Sequence, residues 1–250
     1  MQARALATGG EMSYFLTSRI VDSVLAIWQR IPGPVIHNLD KARMLKRIFW
    51  HLNVDGVPGD YIEFGVAHGH SLRAAEIAEK KSSSKAMGVN QMKRQLFGFD
   101  TFERFISDSS FDAHPTWDGT AFNIDYERVS KRFRRRDNVY LIQVDVNTLY
   151  SEESTTPAAN FGIRKMAAVV LFDMDLYAPT IAALFWSRQL LQQGTFLIFD
   201  EFFSFCGDSS KGESRALREF LVKFPEITLR DFASYGCGGR VFVVDFSKSA

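Results

Sequence analysis

Two pairs of acids stand out in the chain. Phe172-Asp173-Met174-Asp175-Leu176-Tyr177 and Phe199-Asp200-Glu201-Phe202 each set an acidic pair directly after an apolar run. Runs such as Ala168–Phe172 and Phe196–Phe199 read as strands buried on both faces of a parallel sheet. Carboxylates at the carboxyl ends of neighbouring parallel strands converge on one crevice, where α/β proteins bind ligands. Several carboxylates held together repel one another and need compensation. A hard divalent cation such as Mg²⁺ supplies it through oxygen ligands. No Cys/His ligand cluster accompanies the acids, so zinc is not expected. The plainer alternative, that the acids cap the following helices, suits Asp175 better than it suits an adjacent pair after each strand.

A second constellation is Tyr61-Ile62-Glu63-Phe64-Gly65-Val66-Ala67-His68-Gly69-His70-Ser71. It reads as a strand entering a glycine turn that opens a helix. Gly65 and Gly69 allow unusual backbone angles and close ligand approach, and the N–H groups of a helix start can hold a carboxylate. The spacing is GxxxG and not GxGxxG, which disfavours a pyrophosphate site. By itself the pattern also fits any strand–glycine–helix junction. Asp100, closing Leu96–Asp100, can accept hydrogen bonds from both hydroxyls of a ribose, or can cap a helix or turn. His114 shares a polar stretch, 101–122, with Trp117. A histidine there could serve as a base near neutral pH, although a surface position explains it as well. The basic run Lys131–Arg136 reads first as a solvated helix end, and second as a seat for a phosphorylated acceptor.

These residues need elements to position them. Strands are expected at 61–64, 96–100, 139–145, 167–173, 195–200, 226–232 and 240–246, and helices at 71–81, 126–134, 179–192 and 212–223. Their alternation predicts an α/β domain with a parallel sheet covered on both faces. The glycine-rich joint Tyr235–Gly239 suits a hairpin, so the last strand should run antiparallel to its neighbour. Helices expected at 13–30 and 39–52 assign residues 1–56 to a leader and helical cap, and 57–250 to the main domain. The helices could cover the site or pair between subunits, giving a homo-oligomer. Residues 101–122, with no clear period, are expected to form a lid or acceptor loop.

Composition narrows the partners. The chain has 250 residues, 46% hydrophobic and 24% charged, with a formal net charge of +1. Nothing in that balance points to nucleic acid or an anionic membrane. Cys206 and Cys237 make neither a disulfide framework nor a CxxC metal pair. No apolar run reaches membrane length, and the N-terminal stretch lacks the layout of a signal peptide. The expected location is the cytoplasm.

At the level of motifs the chain resembles the macrocin O-methyltransferase family of sugar methyltransferases. The family's E-x-G-V-x-x-G is met by Glu63, Gly65, Val66 and Gly69, and its D-x-D-x-Y-x-x-T by Asp173, Asp175, Tyr177 and Thr180. Its G-x-F-x-I-x-D-D appears as Gly194, Phe196, Ile198, Asp200 and Glu201, with Glu for the second Asp. The resemblance implies a Rossmann-like class I methyltransferase fold, with a mostly parallel seven-stranded sheet, an antiparallel last strand and helices on both faces. It implies an S-adenosylmethionine-dependent O-methyltransferase that uses Mg²⁺ and a small-molecule or glycan acceptor. On that likeness Glu63, Gly65, Val66, Gly69 and Ser71 hold the methionine part of the cofactor, Asp100 and Thr101 the ribose, and Asp145 approaches the adenine. Asp173, Asp200 and Glu201 hold the metal, and Glu201 lengthens one arm. A sugar hydroxyl is a weak acid, so a base must take its proton. Asp173 is first in line, Asp175 second, and His114 a third group on the acceptor side. A nicotinamide-dependent oxidoreductase and a non-catalytic binding module are the competing classes. The missing GxGxxG argues against the one, and the mutually repelling acids against the other.

Overall fold

The computed structural model describes residues 9–83, 88–103, 114 and 124–246, with side chains from residue 17 onward. Two helices lead, α1 (Gly9–Trp28) and α2 (Gly33–Val54). The Pro32-Gly33-Pro34 break that ends the first also starts the second: Pro32 is the N-cap of α2 and Pro34 lies in its first turn, where a missing N–H costs no helical bond. Helix α2 therefore begins at Gly33, ahead of the expected residue 39. It buries Met44, Leu45, Ile48, Phe49 and Leu52 in one core with Tyr61 and Leu171. The described side chains of α1 are all exposed, so α2 supplies the cover over the sheet.

The sheet comprises β1 (Asp60–Phe64), β2 (Leu96–Asp100), β3 (Val139–Gln143), β4 (Ala167–Phe172), β5 (Phe196–Phe199), β6 (Thr228–Tyr235) and β7 (Gly239–Asp245), in the order β3-β2-β1-β4-β5-β7-β6. Strands β1 to β5 pair in parallel, and β7 runs antiparallel to both β5 and β6. Helices α3 (His70–Lys80), α4 (Tyr126–Phe133), α5 (Tyr177–Ser187) and α6 (Gly212–Lys223) complete the fold. Side chains alternate between faces along each strand. Ile62, Phe64, Val170, Phe172 and Phe199 pack with Trp186 of α5 and Phe220 of α6. Tyr61, Val169, Leu171 and Ile198 pack on the other face with α2 and with Leu72 and Ala75 of α3.

Register sets the site. Phe99, Phe64, Phe172 and Phe199 are cross-strand neighbours in β2, β1, β4 and β5. The rings of Phe64 and Phe172 stack 5.8 Å apart and those of Phe172 and Phe199 4.9 Å apart. Their successors Asp100, Gly65, Asp173 and Asp200 consequently form a row along the carboxyl edge. The ladder runs one residue further, with Gly65 N–H donating to Phe99 O, Asp173 N–H to Phe64 O and Asp200 N–H to Phe172 O at 2.9–3.1 Å. Several expected boundaries shift, and β6 runs to Tyr235 in place of residue 232. Strand β3 ends at Gln143, which leaves Asp145 in the following loop, and α5 stops at Ser187 before a short 3₁₀ turn. No described helix is long and apolar enough to cross a membrane.

Candidate active site

The turn after β1 is built by close approach. Gly65 has φ +87°, and a Cβ there would lie 1.8 Å from the carbonyl oxygen of Asp173. Only glycine lets this turn touch the β4 end. Gly69, at φ +72°, caps α3, and a Cβ on it would strike the Phe133 ring at 2.7 Å. Val66 is buried above Gly98, whose missing side chain leaves its space. Glu63 lies fully buried beneath the turn, accepting from the Tyr61 hydroxyl at 2.5 Å and from Ser71 Oγ at 2.6 Å. Burial pushes the Glu63 carboxyl up to about 8, against the pull of those two donors.

Asp100 clamps the turn from the β2 side. Its oxygens accept from Ala67 N–H at 2.8 Å and Phe102 N–H at 2.7 Å. Thr101 is half-buried beside it and accepts from Glu103 N–H at 3.3 Å. Asp145 is exposed beyond the end of β3, where it caps the Val146–Thr148 turn through Asn147 N–H. The structure thus gathers Glu63, Gly65, Val66, Gly69, Ser71 and Asp100 at one turn, and sets Asp145 two strands away. Part of the basic run is engaged here too. Arg132 donates to the His68 carbonyl at 3.2 Å, and Arg136 pairs with buried Glu76 of α3 at 3.4 Å. A cleft of about 450 Å³ opens between α2 and α3 beside the turn, lined by Asn38, Lys41, His70 and Ser71 among others.

The acids after β4 and β5 form the second half of the site. Between them stands Lys41 of α2, its Nζ 2.8 Å from Asp173 Oδ2 and 2.5 Å from Asp200 Oδ2. His37, one helical turn earlier, bonds Asp200 through Nε2 at 3.0 Å, and the Tyr235 hydroxyl donates to Asp200 Oδ1 at 2.5 Å. Burial alone would raise the Asp200 pKa, yet Lys41 and His37 hold it well below the carboxylate range. Burial would lower Lys41, yet Asp173 and Asp200 hold it above the ordinary lysine value. The other acids go the opposite way. Burial and neighbouring carboxylates push Asp173 up to about 6 and Asp175 up to about 8, and push Glu201 and Glu213 up as well. Asp175 adopts φ +63°, a conformation that L side chains rarely take. Glu201 Oε2 and Glu213 Oε1 are buried without a hydrogen-bond partner among the described residues.

Access separates the two carboxylates that share Lys41. The Asp173 side chain is 23% exposed and that of Asp200 only 4%. Asp173 is therefore open to solvent, whereas Asp200 faces protein on every side. Possible ligand atoms within 4.8 Å of one another fall, among the described residues, into two groups: Asp173, Asp175 and Glu201, and His37, Asp200 and Glu201. The expected trio of Asp173, Asp200 and Glu201 is divided between them. His114 packs its ring on Phe205 at 5.1 Å, and Phe205 abuts Gly212, which lies beside the Asp175 carbonyl. Desolvation lowers the His114 pKa. Residues 104–113 and 115–122 of the expected acceptor loop, with Trp117, lie outside the described residues.

Lys41, His37, Tyr235 and Glu213 were not singled out by sequence reasoning. The four-residue spacing of His37 and Lys41 does put both on one face of a helix. Their partner Asp200 is 163 and 159 residues away, however, and nothing local names it.

A mostly parallel seven-stranded sheet in this order, with β7 antiparallel and a glycine turn after β1, is a Rossmann-like methyltransferase fold. Residues 36–220 match the family model described as Macrocin-O-methyltransferase (TylF), and the chain belongs to that family, an S-adenosylmethionine-dependent methyltransferase of the O-methyltransferase type. Solved structures with the same fold include CalS11, a calicheamicin methyltransferase, at 22% identity and TM-score 0.58, the match covering 81% of this chain and 77% of that one. The O-methyltransferase NovP matches at 19% identity and TM-score 0.58, covering 81% of this chain and 78% of that one. No curated protein matches the chain by sequence.

Proposed function

We propose that the enzyme transfers the methyl group of S-adenosylmethionine to a hydroxyl of a sugar or a glycosylated small molecule. The observation that carries this reading is the contact between Gly65 and the Asp173 backbone, which gives a cofactor turn and an acidic acceptor centre one common wall. Family membership supports the O-methyl transfer. The sugar acceptor draws on the family's name and on CalS11, named a TDP-rhamnose 3′-O-methyltransferase.

In-line transfer needs a sulfonium methyl held against an attacking oxygen, with a base for the hydroxyl proton. The N–H groups at the start of α3, beside the Gly65–Gly69 turn, would receive the methionine carboxylate. Asp100, fixed by Ala67 and Phe102 N–H, keeps unused lone pairs for the ribose hydroxyls. Thr101 would support that contact, and Asp145 would stand at the adenine end. Glu63, with both oxygens engaged and no exposed surface, would shape the turn from below by holding Ser71. Partly exposed Asp173 would take the acceptor proton, with Asp175 as its neighbour in the same role and His114 at the acceptor side.

The donor set Asp173, Asp175 and Glu201 is all oxygen and includes the unpartnered Glu201 Oε2, which fits a hard divalent cation. Those three residues would hold Mg²⁺, which when bound would acidify the acceptor hydroxyl.

Calorimetric titration with S-adenosylhomocysteine, with Mg²⁺ and then with excess chelator, tests the reading. Micromolar binding that survives the chelator is expected, since the turn holds the product without metal. A folded protein that binds in neither condition would overturn the assignment.

A further inference from the structure

We propose that Lys41 is a resident cation of the acidic centre, occupying the place between Asp173 and Asp200 that a divalent ion would otherwise take. The proposal rests on the methyltransferase reading only for its catalytic meaning; its geometry stands alone. Lys41 Nζ is within 2.8 Å of Asp173 Oδ2 and 2.5 Å of Asp200 Oδ2. An Mg²⁺ bridging the same two oxygens would sit about 2.1 Å from each, inside the volume of the ammonium. The two cations exclude each other there.

The surroundings fix the ammonium in place. Lys41 is 4% exposed, on a helix whose next turn, Met44, Leu45 and Ile48, is buried in the core. Asp200 spends its oxygens on Lys41, His37 and Tyr235, three protein groups from α2 and β6. A metal ion recruited by Asp200 would have to displace all of them. Glu201 Oε2 has no described partner, and Glu201 stands in one ligand-sized group with Asp173 and Asp175 and in another with His37 and Asp200, where the Asp200 oxygens are already spent. A metal ion therefore enters on the Asp175 side, and Asp200 serves as the clasp that holds α2 over the carboxyl edge.

Mn²⁺ binding, followed by electron paramagnetic resonance on the folded full chain, tests this without recourse to turnover. Lys41→Met and Lys41→Gln should each bind Mn²⁺ about tenfold more tightly than wild type, because the ammonium that competes for Asp173 and Asp200 Oδ2 is gone. Asp200→Asn should stay within about threefold of wild type, whereas Glu201→Gln and Asp175→Asn should each lose about tenfold or more. If neither Lys41 variant folds, judged by circular dichroism, the comparison of Asp200→Asn with Glu201→Gln decides. Equal loss in those two, or folded Lys41 variants that bind Mn²⁺ no better than wild type, would overturn the proposal. A wild type silent to Mn²⁺ beside a Lys41 variant that binds it would support the place taken by Lys41 and overturn metal entry on the Asp175 side. S-adenosylhomocysteine titration of the same samples reads the cofactor turn separately, so failure of the methyltransferase reading would be recognised as such.

Discussion

The glycine turn after β1 and the acidic centre after β4 and β5 touch at Gly65 and Asp173, yet they are finished differently. In the turn, described polar groups are matched: Glu63 by Tyr61 and Ser71, Asp100 by Ala67 and Phe102. In the centre, only one acid of each pair has a cationic partner among the described residues. Asp173 and Asp200 share Lys41, while Asp175 and Glu201 are pushed toward the protonated form by burial and by the charges beside them. A buried carboxylate left in that state costs stability. Such cost gathers where chemistry is done. On the proposed reading the turn would be a finished cradle for a ligand of fixed shape, and the centre would have spare capacity for a cation and a proton.

The sharpest way to separate the halves is Asp173→Ala. Loss of the proton acceptor should lower methyl transfer about a thousandfold while S-adenosylhomocysteine affinity stays within about threefold. A parallel loss of cofactor affinity in calorimetry would merge the two halves into one. Gly65→Ala attacks the wall they share. Its Cβ would meet the Asp173 carbonyl at 1.8 Å in a positive-φ turn, so the variant should lose roughly 3 kcal/mol in urea unfolding and lose cofactor binding. A Gly65→Ala variant as stable as wild type would show that the contact is not required.

Glu201→Gln probes the spare capacity. Gln needs no proton to lie buried there, so the variant should be about 1 kcal/mol more stable at neutral pH in thermal or urea unfolding while losing activity. Destabilisation would mean that Glu201 is already matched.

The smallest effect is expected at Glu63. Its folded-state pKa, about 8, lies above its ordinary 4.5. The folded chain therefore keeps a proton that the unfolded chain releases. The stability this contributes is complete below 4.5 and is lost as pH rises through 8. Glu63→Gln carries no such proton, so its melting temperature should fall less than that of wild type between pH 5 and 9. Identical slopes would show that Glu63 is ionised when folded.

Much of this architecture was legible before the fold was known. Apolar runs such as Ala167–Phe172 can only be strands buried on both faces, and a strand so buried must end in a loop at the sheet edge. The positions of Gly65, Asp100, Asp173 and Asp200 follow from that. Boundaries that depend on hydrogen bonding moved: Asp145 fell outside β3 because pairing with β2 stops at Gln143. The start of α2 moved from the expected residue 39 to Gly33, since the proline that ends one helix caps the next.

The sequence by itself thus determined the sheet, the glycine turn and the set of acids, because periodicity and chain-local sterics are written in neighbouring residues. Only the tertiary structure decided which acid is matched and by what. Lys41 is one lysine among many on the chain, and its meaning comes from α2 folding back across the carboxyl edge to bring it between Asp173 and Asp200, 132 and 159 residues away. Coulomb attraction depends on distance in space, and a sequence records only distance along the chain.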